Sequence, residues 1–238
     1  GAFDVSVSSN TALTLGAVSA GRNFSATTAS SINVTNTINT LAEANGGTVT
    51  LNGGTGLTIG ALGDITSDGA VNLTSAAGIS TAGDVTTTND VVNYNSATTL
   101  TDNVLVNTGA GIGDINFAST LDGAHTLGLT AGTGSITFTG AVGDTITLAS
   151  LTVVSAGDIS IGNAIKVTGA VSITASTGVD IFIGTAGAGL SLTDAEIDFI
   201  TEAGSLAITA TGAGASITVN DVTGGGVVSG VTTLASNA

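Results

Sequence analysis

The segment TDAEIDFITEAG (193–204) holds the densest group of candidate metal ligands, the four carboxylates of Asp194, Glu196, Asp198 and Glu202. The first three alternate with apolar residues, which is the pattern of a strand, so we expect them to project from one face. Because Ca²⁺ takes roughly six to eight oxygen ligands, the four residues are the candidate calcium site. The alternative is a solvated acidic face that binds nothing.

Aspartates that follow a glycine in turn-like positions are a second source of carboxylates. We expect them to bind cations loosely on the flank of the molecule or to keep it soluble. The residues are Asp64, Asp84, Asp114, Asp144 and Asp158.

A calcium-binding nonapeptide repeat would require the pattern G-G-x-G-x-D. The segment GGTGLTI (53–59) supplies the glycines, but it has Thr58 at the position of the aspartate.

Catalytic groups are few in this chain. His125 is the only histidine, and Ser119 is merely its neighbour in sequence, so we interpret His125 as a residue of a surface turn. Lyase chemistry uses a basic residue, but Arg22 and Lys166, the only two, lie far apart in sequence. Asp194, Glu196 and Asp198 could supply paired carboxylates for glycoside hydrolysis, but we favour a solvated acidic face. We therefore predict a protein that is not an enzyme.

Composition narrows the choice of partners and of fold. The 238 residues carry 17 acidic side chains and a formal net charge of −15, so nucleic acid and anionic membranes are excluded as partners. The chain has no Cys, which excludes disulfides and thiolate metal sites. It also has no Pro, which leaves every backbone N–H available for a long hydrogen-bonded ladder.

Apolar alternating segments recur along the chain and are separated by glycine-containing corners. Examples are LGLTAGTGSITFTGAVGD (127–144), LTVVSAGDISIGNAIKV (151–167) and VSITASTGVDIFIGTAG (171–187). The spacing of roughly 16 to 24 residues predicts ten or eleven rungs of a β-solenoid, each too thin to bury its apolar side alone. At a strand spacing of about 4.8 Å, the rungs make a rod roughly 50 Å long.

The solenoid is expected to form one continuous domain over residues 1–238 that is part of a longer chain or fibre. The sequence starts GAFDV without Met, has no apolar run of membrane-spanning length, and shows no cap at either end. The best helical signal is a single turn in LAEANGG (41–47), and TDAEIDFITEAG (193–204) could also be read as a helix, although its alternation makes us prefer a strand. We expect the rods to associate with one another, end to end or side by side.

Two longer segments carry a family likeness. GDINFASTLDGAHTLGLTAGTGSITFTGAVGD (113–144) and LTVVSAGDISIGNAIKVTGAVSITASTGVDIF (151–182) resemble the repeats of bacterial exoproteins of the filamentous-haemagglutinin and adhesin type. The resemblance implies a right-handed parallel β-helix, an extracellular or cell-surface location, and a structural or adhesive role.

The function that we predict is a structural or adhesive module of a secreted or surface-displayed bacterial exoprotein, forming a stiff rod or fibre. A host or matrix glycan is the expected ligand, and no cofactor other than Ca²⁺ is considered. Two alternatives remain open: a polysaccharide-binding or polysaccharide-cleaving β-helix, and a calcium-dependent module of the surface-layer type. A flat threonine array for ice binding is disfavoured, because the threonines in VTTTND and NTINT do not recur at a fixed spacing.

Overall fold

The computed structural model describes residues 3–41, 47–223, 230 and 232–237. It is a nearly all-β solenoid of about 10 turns with parallel stacked coils, and only 2% of it is helical. The fold class predicted from the apolar periodicity is therefore confirmed.

The strands of the first five coils follow one another at short intervals. They are β1 (Val5–Ser9), β2 (Leu13–Leu15), β3 (Val18–Ser19), β4 (Phe24–Thr28), β5 (Ser31–Val34), β6 (Ile38–Asn39), β7 (Val49–Gly53), β8 (Gly56–Ile59), β9 (Ile65–Ser67), β10 (Val71–Ser75), β11 (Ile79–Thr81), β12 (Val85–Thr87), β13 (Val92–Tyr94), β14 (Thr98–Leu100) and β15 (Val104–Asn107).

The later coils contain longer strands and a short helix. The elements are β16 (Ile115–Phe117), β17 (Leu121–Asp122), β18 (Thr126–Thr130), β19 (Ser135–Phe138), β20 (Ser150–Ala156), β21 (Asp158–Ile161), β22 (Ile165–Lys166), β23 (Ala170–Ala175), β24 (Ile181–Gly184), β25 (Leu190–Thr193), α1 (Asp194–Asp198), β26 (Ile200–Glu202), β27 (Ser205–Thr211), β28 (Ile217–Val219) and β29 (Thr232–Asn237).

Each early coil contributes one strand to each of three parallel sheets. Sheet A stacks β1, β4, β7, β10, β13, β16, β19 and β21, and sheet B stacks β2, β5, β8, β11, β14 and β17. Sheet C has ten strands, from β3 through β6, β9, β12, β15, β18, β20, β23 and β27 to β29. Hydrogen bonds between equivalent strands therefore join each coil to the next.

The core consists of columns of apolar side chains, because parallel pairing in register places like residues over like. One column of sheet A contains Tyr94, Phe117 and Phe138, whose rings stack with centroids 4.7 and 5.4 Å apart. The buried apolar residues form a single cluster from Leu15 to Ala215. The alternation seen in the sequence thus places one set of side chains in a buried apolar core and the other on the outside.

Corners between sheets C and A depend on small residues. Buried hydroxyl groups accompany them: Thr40 donates to the carbonyl of Gly47 at 2.7 Å, and Thr108 donates to that of Gly113 at 2.5 Å. Gly132 has a φ of +57°, and a Cβ there would lie 2.3 Å from the carbonyl carbon of Ala110. Glycine is required at this corner by both its conformation and the close approach of the next coil.

The order of strands changes in the last two coils. A three-stranded sheet stacks β25, β24 and β28, so β25 lies below β24 although it follows β24 in sequence. β24 is an additional strand. The face of the rod formed by sheet A continues above β21 with the three strands of this separate sheet, whereas sheet C has only β27 and β29 above β23. Residues 176–204 thus form a longer coil than those before it.

The strand predicted for residues 193–204 is wrong at its start, because Asp194–Asp198 form α1. Thr193 caps this helix: its hydroxyl accepts from the N–H of Glu196, and the Glu196 carboxylate accepts in return from the backbone N–H of Thr193. This reciprocal capping box favours a helical turn over the strand that the alternation indicated. Of the segment, Thr193 ends β25 and Ile200–Glu202 form β26.

Residues 42–46 lie outside the described part of the chain, so the single turn predicted for 41–47 is not addressed. In the residues that are described, no helix has the length and apolar character needed to cross a membrane.

Candidate functional site

Glu196, one of the four predicted calcium ligands, accepts hydrogen bonds from two different strands. Its Oε1 accepts from the backbone N–H of Ile161 at 3.0 Å. Its Oε2 accepts from the backbone N–H and the hydroxyl of Thr193 at 2.9 and 2.8 Å. The carboxylate therefore connects α1 to β21, one coil below.

The other three carboxylates face different surroundings. Asp194 accepts from the N–H and the hydroxyl of Thr223 at 2.8 and 2.6 Å, while Asp198 and Glu202 are exposed. Over the described ranges, no three or more His, Cys, Asp or Glu residues are grouped to hold a metal ion. The structure does not assemble the four residues into one site, and calcium binding stays a prediction.

Four of the glycine-linked aspartates join successive coils through their carboxylates. In each case, Oδ1 accepts from the backbone N–H of a residue in the coil above, and we call this bond a staple. The staples run from Asp64 to Asp84 (2.9 Å), from Asp84 to Leu105 (2.8 Å), from Asp114 to Ser135 (2.7 Å) and from Asp158 to Ser191 (2.8 Å). Each carboxylate thus extends the hydrogen-bonded ladder by one bond at a corner.

Asp144, the fifth of these aspartates, forms an ion pair with Lys166 in the next coil, with Oδ1 and Nζ 2.8 Å apart. The hydrogen bond to Asp144 and its negative charge raise the pKa of Lys166, and the charge of Glu202 adds to the effect. The other basic residue, Arg22, pairs with Asp4 at 3.8 Å on the exposed surface near β4. The two basic residues are not brought together, so they do not form a joint lyase site.

Asparagines supply staples that the sequence analysis missed. Asn23 accepts from the N–H of Thr48 at 2.9 Å, and Asn103 accepts from that of Thr126 at 3.0 Å. Both asparagines stand directly before a buried strand residue, as the four aspartates that form staples do. That shared position is the signal that identifies them in the sequence.

The outer row of sheet A is a column of outward-facing side chains that runs along the first seven coils. Within it, Asn116 donates to Asn93 and Asn93 donates to Asn72, both at 2.9 Å. The row consists of Ser6, Ser25, Thr50, Asn72, Asn93, Asn116 and Thr137. It carries no charged residue, although the chain has a net charge of −15.

The row also bears on ice binding. The register places a hydroxyl or amide at one position in every coil, which the unequal spacing in the sequence conceals. Only Thr50 and Thr137 of this row are threonines, so the row is not a threonine array.

His125 is half-buried in the corner between β17 and β18. Its backbone N–H donates to the carbonyl of Gly123 at 2.8 Å, and its own carbonyl accepts from Ala149 at 2.9 Å. Across the described residues, no hydrogen bond joins its imidazole to a hydroxyl. The geometry agrees with the interpretation of His125 as a turn residue.

The glycines of residues 53–59 lie at the corner between β7 and β8. A Cβ on Gly53 would lie 2.2 Å from the carbonyl oxygen of Gly56, and Thr58 faces outward on β8. A shallow groove on sheet B passes between Gly56, Thr58, Gly78 and Ser80, and its lining is uncharged.

No family model matches the chain, and no curated protein or solved structure shows significant similarity to it. The β-helix repeat implied by the resemblance to filamentous-haemagglutinin repeats is present in the structure.

Proposed function

We propose that this chain is a structural and adhesive module of a secreted or surface-displayed bacterial exoprotein. In this proposal it is a stiff extracellular rod and catalyses no reaction. The supporting observation is the repeated connection of neighbouring coils, by parallel ladders in three sheets and by staples at the corners.

Stiffness follows from the arrangement of the three sheets around one core. To bend the rod, the ladder of at least one sheet has to lengthen, and each backbone hydrogen bond is directional. The aspartate staples add charge-assisted bonds, which are stronger than bonds between neutral groups. A rod joined in this way transmits load along its axis and keeps exposed residues at fixed spacing.

The adhesive role is assigned to the outer row of sheet A. Its hydroxyl and amide groups repeat at about 4.8 Å and offer both donors and acceptors. Because the row is uncharged, it suits a neutral polysaccharide of a host or matrix better than an acidic polymer. The net charge of −15 disfavours nucleic acid and anionic membranes as partners.

Association between copies is part of the proposal. β1, β2 and β3 each lie at the end of their sheet, and Val5 is exposed beside this edge. Free strand edges accept further strands, whether from the same chain or from a second copy, end to end or side by side.

Retention on insoluble polysaccharides tests the adhesive role. We expect the protein to be retained on a neutral polysaccharide and not on an acidic one such as heparin. Exchange of Asn93 and Thr137 for arginine should abolish retention, while exchange of Thr86 and Thr130 on sheet C, the matched control, should not. Absence of retention on every neutral polysaccharide, or equal loss in both variants, would contradict the proposal.

Immunogold labelling of intact producing cells tests the location. Label on the cell surface or on extracellular fibres is the expected result, and label confined to the cytoplasm would contradict it. If the fibres persist in a chelator, they support the rod as proposed. If they dissolve, the calcium-dependent alternative is favoured.

A further inference from the structure

One level of sheet A lacks the strand pairing found elsewhere in that sheet. The eight-stranded stack ends at β21, and the next stack begins at β25, although the two strands are neighbours. Below this level, consecutive strands share ladders such as β19 with β21, in which Ser135–Phe138 pair with Asp158–Ile161. We call the boundary between β21 and β25 the seam.

Carboxylates bridge the seam. Asp158 Oδ1 accepts from the N–H of Ser191 at 2.8 Å, and Glu196 Oε1 accepts from the N–H of Ile161 at 3.0 Å. A buried backbone N–H needs a partner, and here a side chain provides it. The Asp158 bond is a staple like the one from Asp114 to Ser135, but at the seam no strand ladder accompanies the two carboxylate bonds.

Sheets B and C remain joined at the same level. On the side of sheet B, the N–H of Ile165 donates to the carbonyl of Phe199 at 2.7 Å. In sheet C, β23 pairs with β27 over five consecutive residues, from Ala170 to Thr174. The interruption is thus confined to one of the three faces.

The additional strand explains why the interruption falls on sheet A. β24 adds a layer to this sheet only, and the loop from β24 to β25 passes over its outer side. A Cβ on Gly187 in this loop would lie 2.2 Å from the ring of Phe182, so the loop is packed directly against β24. The extra strand makes this face of the rod taller than sheet C by about 4.8 Å. Because sheet C has no matching strand, the difference in height favours separation of β21 from β25.

We propose that the seam is a hinge: β21 and β25 separate in sheet A while sheet C stays paired, before any coil below them opens. Asp158 and Glu196 act as positioning residues that hold the hinge closed. The hinge gives the rod a defined point at which it bends, and the inference does not depend on the adhesive role.

Amide hydrogen exchange, measured by mass spectrometry on the full chain, tests the hinge. In the unaltered protein, we expect the amides of Ile161 and Ser191 to exchange at least tenfold faster than those of Ile136 and Phe138. The double variant Asp158→Ala/Glu196→Ala should accelerate exchange at the seam by a further tenfold or more. Exchange in Val171–Thr174 and Leu206–Thr209 of sheet C should be unchanged.

Two matched variants separate the hinge from general destabilisation. Asp114→Ala removes a staple where β16 and β19 are fully paired, so exchange at the seam should stay as in the unaltered protein. Thr193→Val removes the hydroxyl of the capping box and keeps the bond from Glu196 to Ile161, so it should have a smaller effect than the double variant. Equal exchange at the seam and in β19, or acceleration in sheet C as great as at the seam, would overturn the proposal.

Discussion

In the first eight coils, each strand of sheet A pairs with the strand below it, whereas the last two coils meet β21 across a seam bridged by carboxylates. The spacing of the linking residues differs in the same way. Staples join residues 19 to 25 positions apart in the early part of the chain, and 33 and 36 positions apart for Asp158 and Asp180. In the shorter early coils, additional residues lengthen a corner. In the longer coil of residues 176–204, they form another strand, β24.

The largest expected difference between the two regions is the loss of stability when a phenylalanine ring is removed. Phe117 is buried between Tyr94 and Phe138, so Phe117→Ala leaves a cavity and should lower the free energy of unfolding by about 3–5 kcal/mol. Phe182 is half-buried on the outer side of β24, and Phe182→Ala should cost less than half of that amount. Chemical denaturation followed by circular dichroism measures both, and equal losses would remove the contrast.

Glycines in the two regions are required for different reasons. Gly132→Ala introduces a Cβ against the backbone of Ala110 at a positive φ, and Gly187→Ala introduces one against the ring of Phe182. Each should lower stability by about 1–3 kcal/mol. Removal of the ring by Phe182→Ala should rescue Gly187→Ala and leave the cost of Gly132→Ala unchanged. A double-mutant cycle by urea denaturation measures this coupling, and a lack of rescue would show that the loop does not rest on the ring.

Tyrosinate absorbance in an alkaline titration reports on the regular coils alone, since Tyr94 is the only tyrosine. Burial raises the pKa of Tyr94, and the negative charge of Asp84 adds to the effect. The unfolded chain therefore loses its phenolic proton first, and stability should fall by about 1.4 kcal/mol per pH unit above about pH 10. We expect tyrosinate absorbance to rise together with the loss of circular dichroism. Ionisation well before unfolding would contradict the buried position of the ring.

The smallest expected effect is the loss of stability in acid when the carboxylate of Asp180, in the last coils, is protonated. The hydrogen bonds from the N–H and the hydroxyl of Ser216 lower the pKa of Asp180. The stability that this carboxylate contributes is present above its unfolded pKa of about 4 and is lost as the pH falls through the lower folded value. Asp180→Asn should therefore flatten the acid side of the stability profile, with Ser216→Ala intermediate, in urea denaturation between about pH 6 and 2. If the unaltered protein and the two variants lose stability equally steeply as the pH falls, this role of Asp180 is contradicted.

Much of the fold of the first eight coils could be predicted from the sequence. In these coils, the apolar alternation and the turn residues favour the same strands that pairing between coils requires. Gly113-Asp114 stands directly before β16, and Asp158 begins β21 directly after Gly157, as their turn chemistry indicates. The alignment of Asn72, Asn93 and Asn116 could not be predicted, because coil length varies and conceals the common position.

The last coils were harder to predict, since competing signals meet there. Alternation favoured a strand at Asp194, but the capping box of Thr193 and Glu196 was also present in the sequence and decided the outcome. The placement of β25 below β24 depends on packing between coils and leaves no local pattern. For the same reason, the roles of Glu196 and Asp158 at the seam emerge only from the fold.

The distance between paired spin labels tests the additional strand of sheet A most directly, and the absence of native Cys makes the labelling specific. Cysteines at positions 50 and 137 are four strands apart in the regular coils, about 19 Å. Cysteines at positions 135 and 218 are also four strands apart, but their path crosses the seam and β24. Pulsed electron paramagnetic resonance should give the same mean distance for both pairs, with a broader distribution across the seam. A second distance shorter by one strand, about 14 Å, would show that β24 adds no layer and would contradict the hinge.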